Sequence, residues 1–223
     1  MDLFRLHHGT IDYYLKGEHP SLLILSGMHG DESGVIHCVE KFVHDSLHIL
    51  PSFLYIPRVS PSAVFNKSRL NAAGRDVNRE FFTAPIDEEV RDCTQICSKY
   101  SFEISLDFHE DPDLTDEFYM YDSYGMNEDE LKDFRNQLKS ANIHAYNGLD
   151  DPGDPNLGFE VKDGYVPFLF NAHNPDFGFS SEWFLRHAIS KRTVTLEIPG
   201  KASDDVKRAI IATMFAYFLP HLT

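Results

Sequence analysis

At 223 residues the chain is long enough to bury a substantial core, and its length favours one domain spanning residues 1–223 over two. Its 35 acids against 20 Lys and Arg give a formal charge of −15, with no basic run long enough to track a polyanion, which excludes nucleic acid and anionic membrane as partners. No apolar run approaches the ~18 residues of a membrane span. The N-terminal "MDLFRLHHGTIDYYLKG" lacks the basic-then-apolar order of a secretory signal, and Cys38, Cys93 and Cys97 form no paired spacing; both features predict a reducing, cytoplasmic compartment.

In chain order, residues 22–25 read as a buried strand and lead directly into "SGMHGDESG", where Gly27 and Gly30 permit a tight turn. Val35, Val39, Phe42 and Val43 form a helical stripe, residues 53–56 a second strand, and Cys93 and Cys97 lie four apart in a helical stretch as half-buried thiols. Residues 102–108 predict a third strand, and Leu131, Phe134 and Leu138 a second helical stripe. Residues 146–165 are dense in Gly, Pro and Asp and read as a long loop. Strands follow at 166–170 and 193–198. Ser203 with Asp204 and Asp205 starts a last helix, striped by Val206, Ile210, Met214 and Tyr217 and stopped at Pro220. Strands alternating with helices predict an α/β sheet covered on both faces.

Polar residues collect at the ends of three of these strands: His29 and Glu32 after the first, His109 in "FEISLDFHE", and Glu197 in "RTVTLEIPG". Ligands of open α/β sheets bind beyond the carboxyl ends of strands, so the two histidines and two glutamates share one rim. Two histidines and a carboxylate with one open position are the ligand set of catalytic zinc. HExxH is absent, since Glu110, Asp111, Pro112 and Asp113 follow His109. His44 and His48, and also His7, His8 and His187, have no accompanying third ligand and read as surface residues. The acids Glu110, Asp111, Asp113, Asp116 and Glu117 read as a solvated turn from which one carboxylate could meet a cationic substrate group. His173, in "NAHNPDFGF", is a candidate pocket residue.

Four segments, "GMHGDESG", "RLNAAGRDVNREF", "LDFHED" and "TLEIPG", together resemble the M14 zinc carboxypeptidases and their succinylglutamate desuccinylase and aspartoacylase relatives. They span residues 27–200. The resemblance implies a three-layer α/β/α sandwich around a mixed, mostly parallel sheet, one zinc ion per chain, and hydrolysis of a peptide or amide bond. Carried over, it makes His29, Glu32 and His109 the metal ligands, Asp76 the acid that orients His29, and Asn78 and Arg79 the grip on a substrate carboxylate. Asp107, two residues before His109 on the same side of a strand, is the matching candidate for His109. Arg69 matches the arginine that polarises the scissile carbonyl, while Arg75 fits the desuccinylase spacing. Glu197 matches the general base that activates zinc-bound water and returns the proton to the leaving amine. One departure stands out: "NPDFGFSSEWFLRHA" carries no tyrosine where the carboxypeptidases have a mobile one. The chain is also too short, after these segments, for the extra C-terminal domain of aspartoacylases. The sequence thus predicts a zinc hydrolase cleaving a small peptide next to a free carboxylate, with an N-acyl amino acid deacylase and a catalytically silent metal- or peptide-binding module as rivals. It says nothing of oligomeric state.

Overall fold

Alternation along the strands decides where the core lies and where polar groups must gather. The computed structural model describes residues 3–84, 86–151, 153, 157–169 and 177–222. Its strands are β1 (Leu3–His8), β2 (Ile11–Lys16), β3 (Leu22–Ser26), β4 (Phe53–Ile56), β5 (Ile104–Asp111), β6 (Glu117–Asp122), β7 (His144–Ala145), β8 (Gly148–Leu149), β9 (Glu160–Val161), β10 (Tyr165–Pro167) and β11 (Thr193–Pro199). The main sheet runs β1-β2-β4-β3-β5-β11-β6-β10, with β7 beside β6. Its centre, from β4 through β3 and β5 to β11, is parallel; β1, β2 and the β11–β6 pair are antiparallel. This is the mixed, mostly parallel sheet expected.

The helices are α1 (Ser33–Asp45), α2 (Pro61–Asn66), α3 (Glu88–Cys97), α4 (Glu128–Ser140), α5 (Ser180–Arg186) and α6 (Asp204–Phe218). One face of the sheet packs Leu22, Ile24, Phe53, Tyr55, Leu106, Phe108, Leu196 and Ile198 against α1, α4 and α6 in a continuous apolar layer. The other face is apolar only at its flanks: Leu23, Leu25, Leu54 and Ile56 meet α3 and α5 on one side, and Leu114, Tyr119, Tyr121 and Val166 cluster on the other. Between those flanks, the same face of β5 and β11 carries Ser105, Asp107, His109, Thr193, Thr195 and Glu197. The stripe is polar because alternation turns these residues to the face opposite the apolar layer.

Helix starts follow their sequence signals. Asn127 and Glu130 close a reciprocal capping box at α4, and Ser203 accepts from the Val206 N–H at α6 as predicted, although Val206 itself stays exposed. Several elements depart from expectation, among them β6, whose first residue Glu117 reads in the sequence as part of an acidic turn. The β1–β2 hairpin escapes the sequence reading because it lies at the sheet edge with β1 largely exposed, so it lacks a buried apolar run. Residues 146–165, read as loop, contain β8 and β9 paired antiparallel and the start of β10. Cys38, Cys93 and Cys97 are buried and unbridged.

Candidate metal centre

The chain leaves β3 at Ser26 and must reverse to start α1 within six residues. Gly27 takes φ +64°, and a Cβ on Gly30 would lie 1.8 Å from the Ala63 carbonyl oxygen of α2, so both positions require glycine. The turn delivers His29 and Glu32 together. His109, from β5, meets them with its ring centroid 5.2 Å from that of His29. His29 Nδ1 lies 2.5 Å from Glu32 Oε1, and His109 Nδ1 lies 3.1 Å from Glu32 Oε2. All three side chains are buried and can offer ligand atoms within 4.8 Å of one another.

The far nitrogen of each ring faces another carboxylate. His29 Nε2 is 3.0 Å from Asp76 Oδ1, and His109 Nε2 is 3.4 Å from Asp107 Oδ2. Those acids are held in turn: Asp76 accepts from Arg69 at 2.9 and 3.0 Å and from the Asn78 N–H, and Asp107 accepts from the Ser180 hydroxyl at 3.0 Å. This arrangement aims both Nδ1 atoms at one point, as carboxylate–histidine pairs do around metal ions. Glu32 Oε2 is buried without a hydrogen-bond partner among the described residues. His109 Nδ1, 3.1 Å away, reaches this oxygen off hydrogen-bond geometry, and a cation seated between the imidazoles would engage it fully. The donor set therefore fits a divalent ion.

Where no ion is bound, the imidazoles themselves supply the positive charge that Glu32 meets. Burial would raise the Glu32 pKa, but the imidazoles of His109 and His29 overcome it and hold the group down at about 2. Burial opposes protonation of His29 and His109, yet the surrounding carboxylates raise both above the usual imidazole range. Protons thus compete for the atoms a metal would use.

Glu197 lies on β11 in direct register with His109 on β5 and with Tyr119 on β6. Burial lifts its carboxyl to about 7, with His109 opposing the rise and Glu32 and Asp111 reinforcing it. Such a value suits a group that exchanges protons near neutrality.

A cleft of about 330 Å³ opens over these residues. Arg69, Asn78 and Arg79 are among its lining residues. Asn78 and Arg79 sit on the 3-10 turn Val77–Arg79, started by the Asp76 side chain; Asn78 Oδ1 accepts from the Ser180 N–H, and the Arg79 guanidinium lies 4.6 Å over the Phe179 ring. Arg75, the other arginine predicted from the sequence, does not line the cleft. The turn closed by Asn71 N–H to Arg75 O and by Arg75 N–H to Asn71 Oδ1 sends its side chain to Glu80 at 3.2 Å. His173 lies outside the described residues.

Sequence reasoning missed the aromatic lining. Tyr119 and Tyr121, alternating with the buried Phe118 and Met120 on β6, face the cleft together with Tyr146 and Phe168. The Tyr119 hydroxyl donates to Asp111 at 3.1 Å, and that of Tyr121 to Asp150, which also accepts the Gly158 and Phe159 N–H groups. The period-two pattern of "EFYMYD" was the available signal. Glu110, read within a solvated turn, is instead buried, because β5 continues through Asp111 and alternation turns its side chain to the face away from His109. No helix among the described residues is long and apolar enough to cross a membrane.

No protein-family model matches this chain, and no curated protein matches it in sequence. Solved structures match it in fold. A candidate metallopeptidase from Shewanella amazonensis superposes with a TM-score of 0.75 at 21% identity, over 99% of this chain and 87% of that one. A metallo-carboxypeptidase from Pseudomonas aeruginosa, in complex with (2-guanidinoethylmercapto)succinic acid, gives 0.60 at 18% identity, over 99% of this chain and 65% of that one. A succinylglutamate desuccinylase/aspartoacylase from Rhodobacter sphaeroides gives 0.57 at 16%, over 93% and 59%. The chain thus spans less than two thirds of the length of the latter two. Together these matches establish a metallocarboxypeptidase-like α/β fold.

Proposed function

We propose that the protein is a zinc-dependent hydrolase of the M14 type, which cleaves a peptide or amide bond next to a free carboxylate in a small substrate. The observation that carries this reading is the buried convergence of His29, Glu32 and His109, with Glu197 in register beside His109. His29 and His109, through Nδ1, and the Glu32 carboxylate would hold the ion. When bound, a divalent cation supplies Lewis-acid polarisation of a carbonyl and makes water a usable nucleophile near neutral pH.

The chain's own groups do the rest. Asp76 and Asp107 fix the ring orientations of the ligands. Arg79, backed by Phe179, offers a planar two-pronged donor to the substrate carboxylate beside Asn78, and carboxylate recognition of this kind suits guanidinium better than ammonium. Arg69 lines the same cleft, bound to Asp76, where it can bear on the developing oxyanion. Glu197 takes a proton from the attacking water and delivers it to the leaving amine. The buried, unbridged cysteines suit a cytoplasmic setting.

A deacylase acting on N-acyl amino acids is the second reading, favoured by the fold shared with the desuccinylase/aspartoacylase. Both readings are tested by assaying the zinc-loaded protein against blocked dipeptides and N-acyl amino acids, each as free acid and as amide. Hydrolysis confined to the free acids and abolished by a chelator is expected, and the preferred free-acid series separates peptidase from deacylase. Equal turnover of the amides would remove carboxylate recognition. Tight binding of the free acids without turnover would identify a silent binding module.

A further inference from the structure

The first turn of an α-helix leaves backbone N–H groups without intrahelical acceptors, and the N-cap side chain ordinarily accepts from one of them. Phe179, at the N-cap of α5, has no side-chain acceptor to offer. The Ser180 N–H donates instead to Asn78 Oδ1 at 3.0 Å, across 102 residues of sequence. The start of α5 is thereby pinned to the turn that carries Asn78 and Arg79.

The two preceding residues fasten the same turn. Gly178 takes φ +84°, and a Cβ there would lie 2.3 Å from the Arg79 carbonyl oxygen, so the two backbones meet where only glycine fits. The Gly178 carbonyl accepts from the Phe81 N–H at 3.2 Å, and the Phe179 ring lies under the Arg79 guanidinium. The Ser180 hydroxyl reaches the other way, donating to Asp107 Oδ2 at 3.0 Å. Ser180 and Asp107 are only 2% and 4% exposed, so water cannot stand in for either partner. The two carboxylates that face the histidines are held unequally. Asp76 accepts twice from Arg69 and once from the Asn78 N–H. Asp107 Oδ1 has no hydrogen-bond partner among the described residues, and the Ser180 hydroxyl is the donor that Oδ2 accepts from. Without that hydroxyl, the carboxylate behind His109 loses the bond that sets its direction.

We propose that Ser180 is a positioning residue that ties the substrate-gripping turn to the metal centre: its N–H fixes Asn78, its hydroxyl fixes the Asp107 carboxylate facing His109, and the two sites thereby share one geometry. Asn78 gains a second task, felt at the metal with no substrate present. The inference rests on the reading of His29, Glu32 and His109 as metal ligands and of Asn78 with Arg79 as the carboxylate grip, the latter tested separately by the amidated substrates.

The test is a double-mutant cycle read at the metal. Parent protein, Ser180→Ala, Asp107→Ala, their double variant and Asn78→Ala, all free of substrate, are titrated with Co²⁺ against a chromophoric chelator. The visible spectrum of each Co²⁺ form and the thermal unfolding of each metal-free protein are recorded in parallel. Ser180→Ala keeps the N–H to Asn78 and loses only the hydroxyl, so it should bind Co²⁺ about tenfold more weakly, with an altered spectrum. In the Asp107→Ala background the same substitution should change affinity no further, because the hydroxyl acts through that carboxylate. Asn78→Ala should weaken Co²⁺ binding in the same direction by a smaller factor. Parent-like affinity and spectrum in folded Ser180→Ala would overturn the proposal, as would an equal loss in both backgrounds, which would mark Ser180 as merely structural. Unchanged Co²⁺ binding in Asn78→Ala would overturn the tie between the two sites, and that variant decides alone if Ser180→Ala does not fold. A parent that binds no Co²⁺ would overturn the metal reading itself, and this proposal with it.

Discussion

Strands β5 and β11 present two opposed faces built from alternating residues of the same segments. One carries Ile104, Leu106, Phe108, Val194, Leu196 and Ile198, all buried beneath α1, α4 and α6. The other carries Asp107, His109, Thr195 and Glu197, two residue spacings of the same backbone, flanked by apolar clusters that could have closed over it. The first face is what a parallel sheet needs for stability, and the second contradicts that need. Ionisable groups at the centre of a sheet point to chemistry or specificity, and here one of them, His109, meets His29 and Glu32.

Single substitutions on the two faces should separate these roles. His109→Ala should abolish bound metal and reduce hydrolysis to background while the protein stays folded. Leu106→Ala, one strand position class away, should cost about 2–5 kcal/mol of stability yet leave one metal per folded chain; metal analysis and thermal melts on both variants would break the comparison if the effects were exchanged. Glu197→Gln tests the stripe more finely. It should keep metal and substrate binding, with kcat falling roughly 10²-fold to 10⁴-fold in steady-state kinetics. If Glu197→Gln lost the metal, Glu197 would be a ligand and not a base.

At the rim of the stripe the expected effect is smaller and shows in KM. Arg79→Lys keeps the charge but loses the planar fork, so kcat/KM for a free-acid substrate should fall by about tenfold or more while the already slow amidated analogue changes little. The effect with no bearing on the metal belongs to a buried acid outside the stripe. Asp92 of α3 accepts from the Thr10 N–H at 2.7 Å and its hydroxyl at 3.0 Å, tying down the β1–β2 turn. Burial opposes its ionisation, but those bonds and Arg91 hold its pKa below the ordinary 3.8. A depressed carboxylate contributes stability that is fully present above its unfolded pKa and is lost as pH falls through the folded value. Asp92→Asn should therefore cost about 1–3 kcal/mol at neutral pH, a gap from the parent that narrows below about pH 3.8, with metal content unaffected.

The apolar face was legible in the sequence because buried parallel strands are short, continuous hydrophobic runs, and residues 22–25, 53–56 and 193–198 fall within or overlap β3, β4 and β11. The stripe was legible where local spacing and strand ends carry it: His29, Glu32 and His109 meet as expected, while Asp76 was placed beside His29 only by the family resemblance. What depends on side-chain direction in loops was not. Arg69 and Arg75 are six residues apart and equivalent in composition, and only the Asn71–Arg75 turn sends one to Asp76 and the other to Glu80. Glu110 read as a solvated acid because its partner lies 97 residues away on α6, beyond any local pattern. The β6 tyrosines were hidden among acids at the edges of a strand whose apolar residues number only two.

The central claim is that the polar face is a metal centre entered through the Nδ1 atoms of both histidines. Diffraction from crystals grown with zinc, with anomalous data on both sides of the zinc absorption edge, tests it most directly. The account predicts one ion per chain, bonded to His29 Nδ1, His109 Nδ1 and the Glu32 carboxylate at about 2.0–2.3 Å, with both Nε2 atoms still turned to Asp76 and Asp107. An anomalous map with no peak among these three residues at saturating zinc, or with its peak at some other cluster, would contradict it.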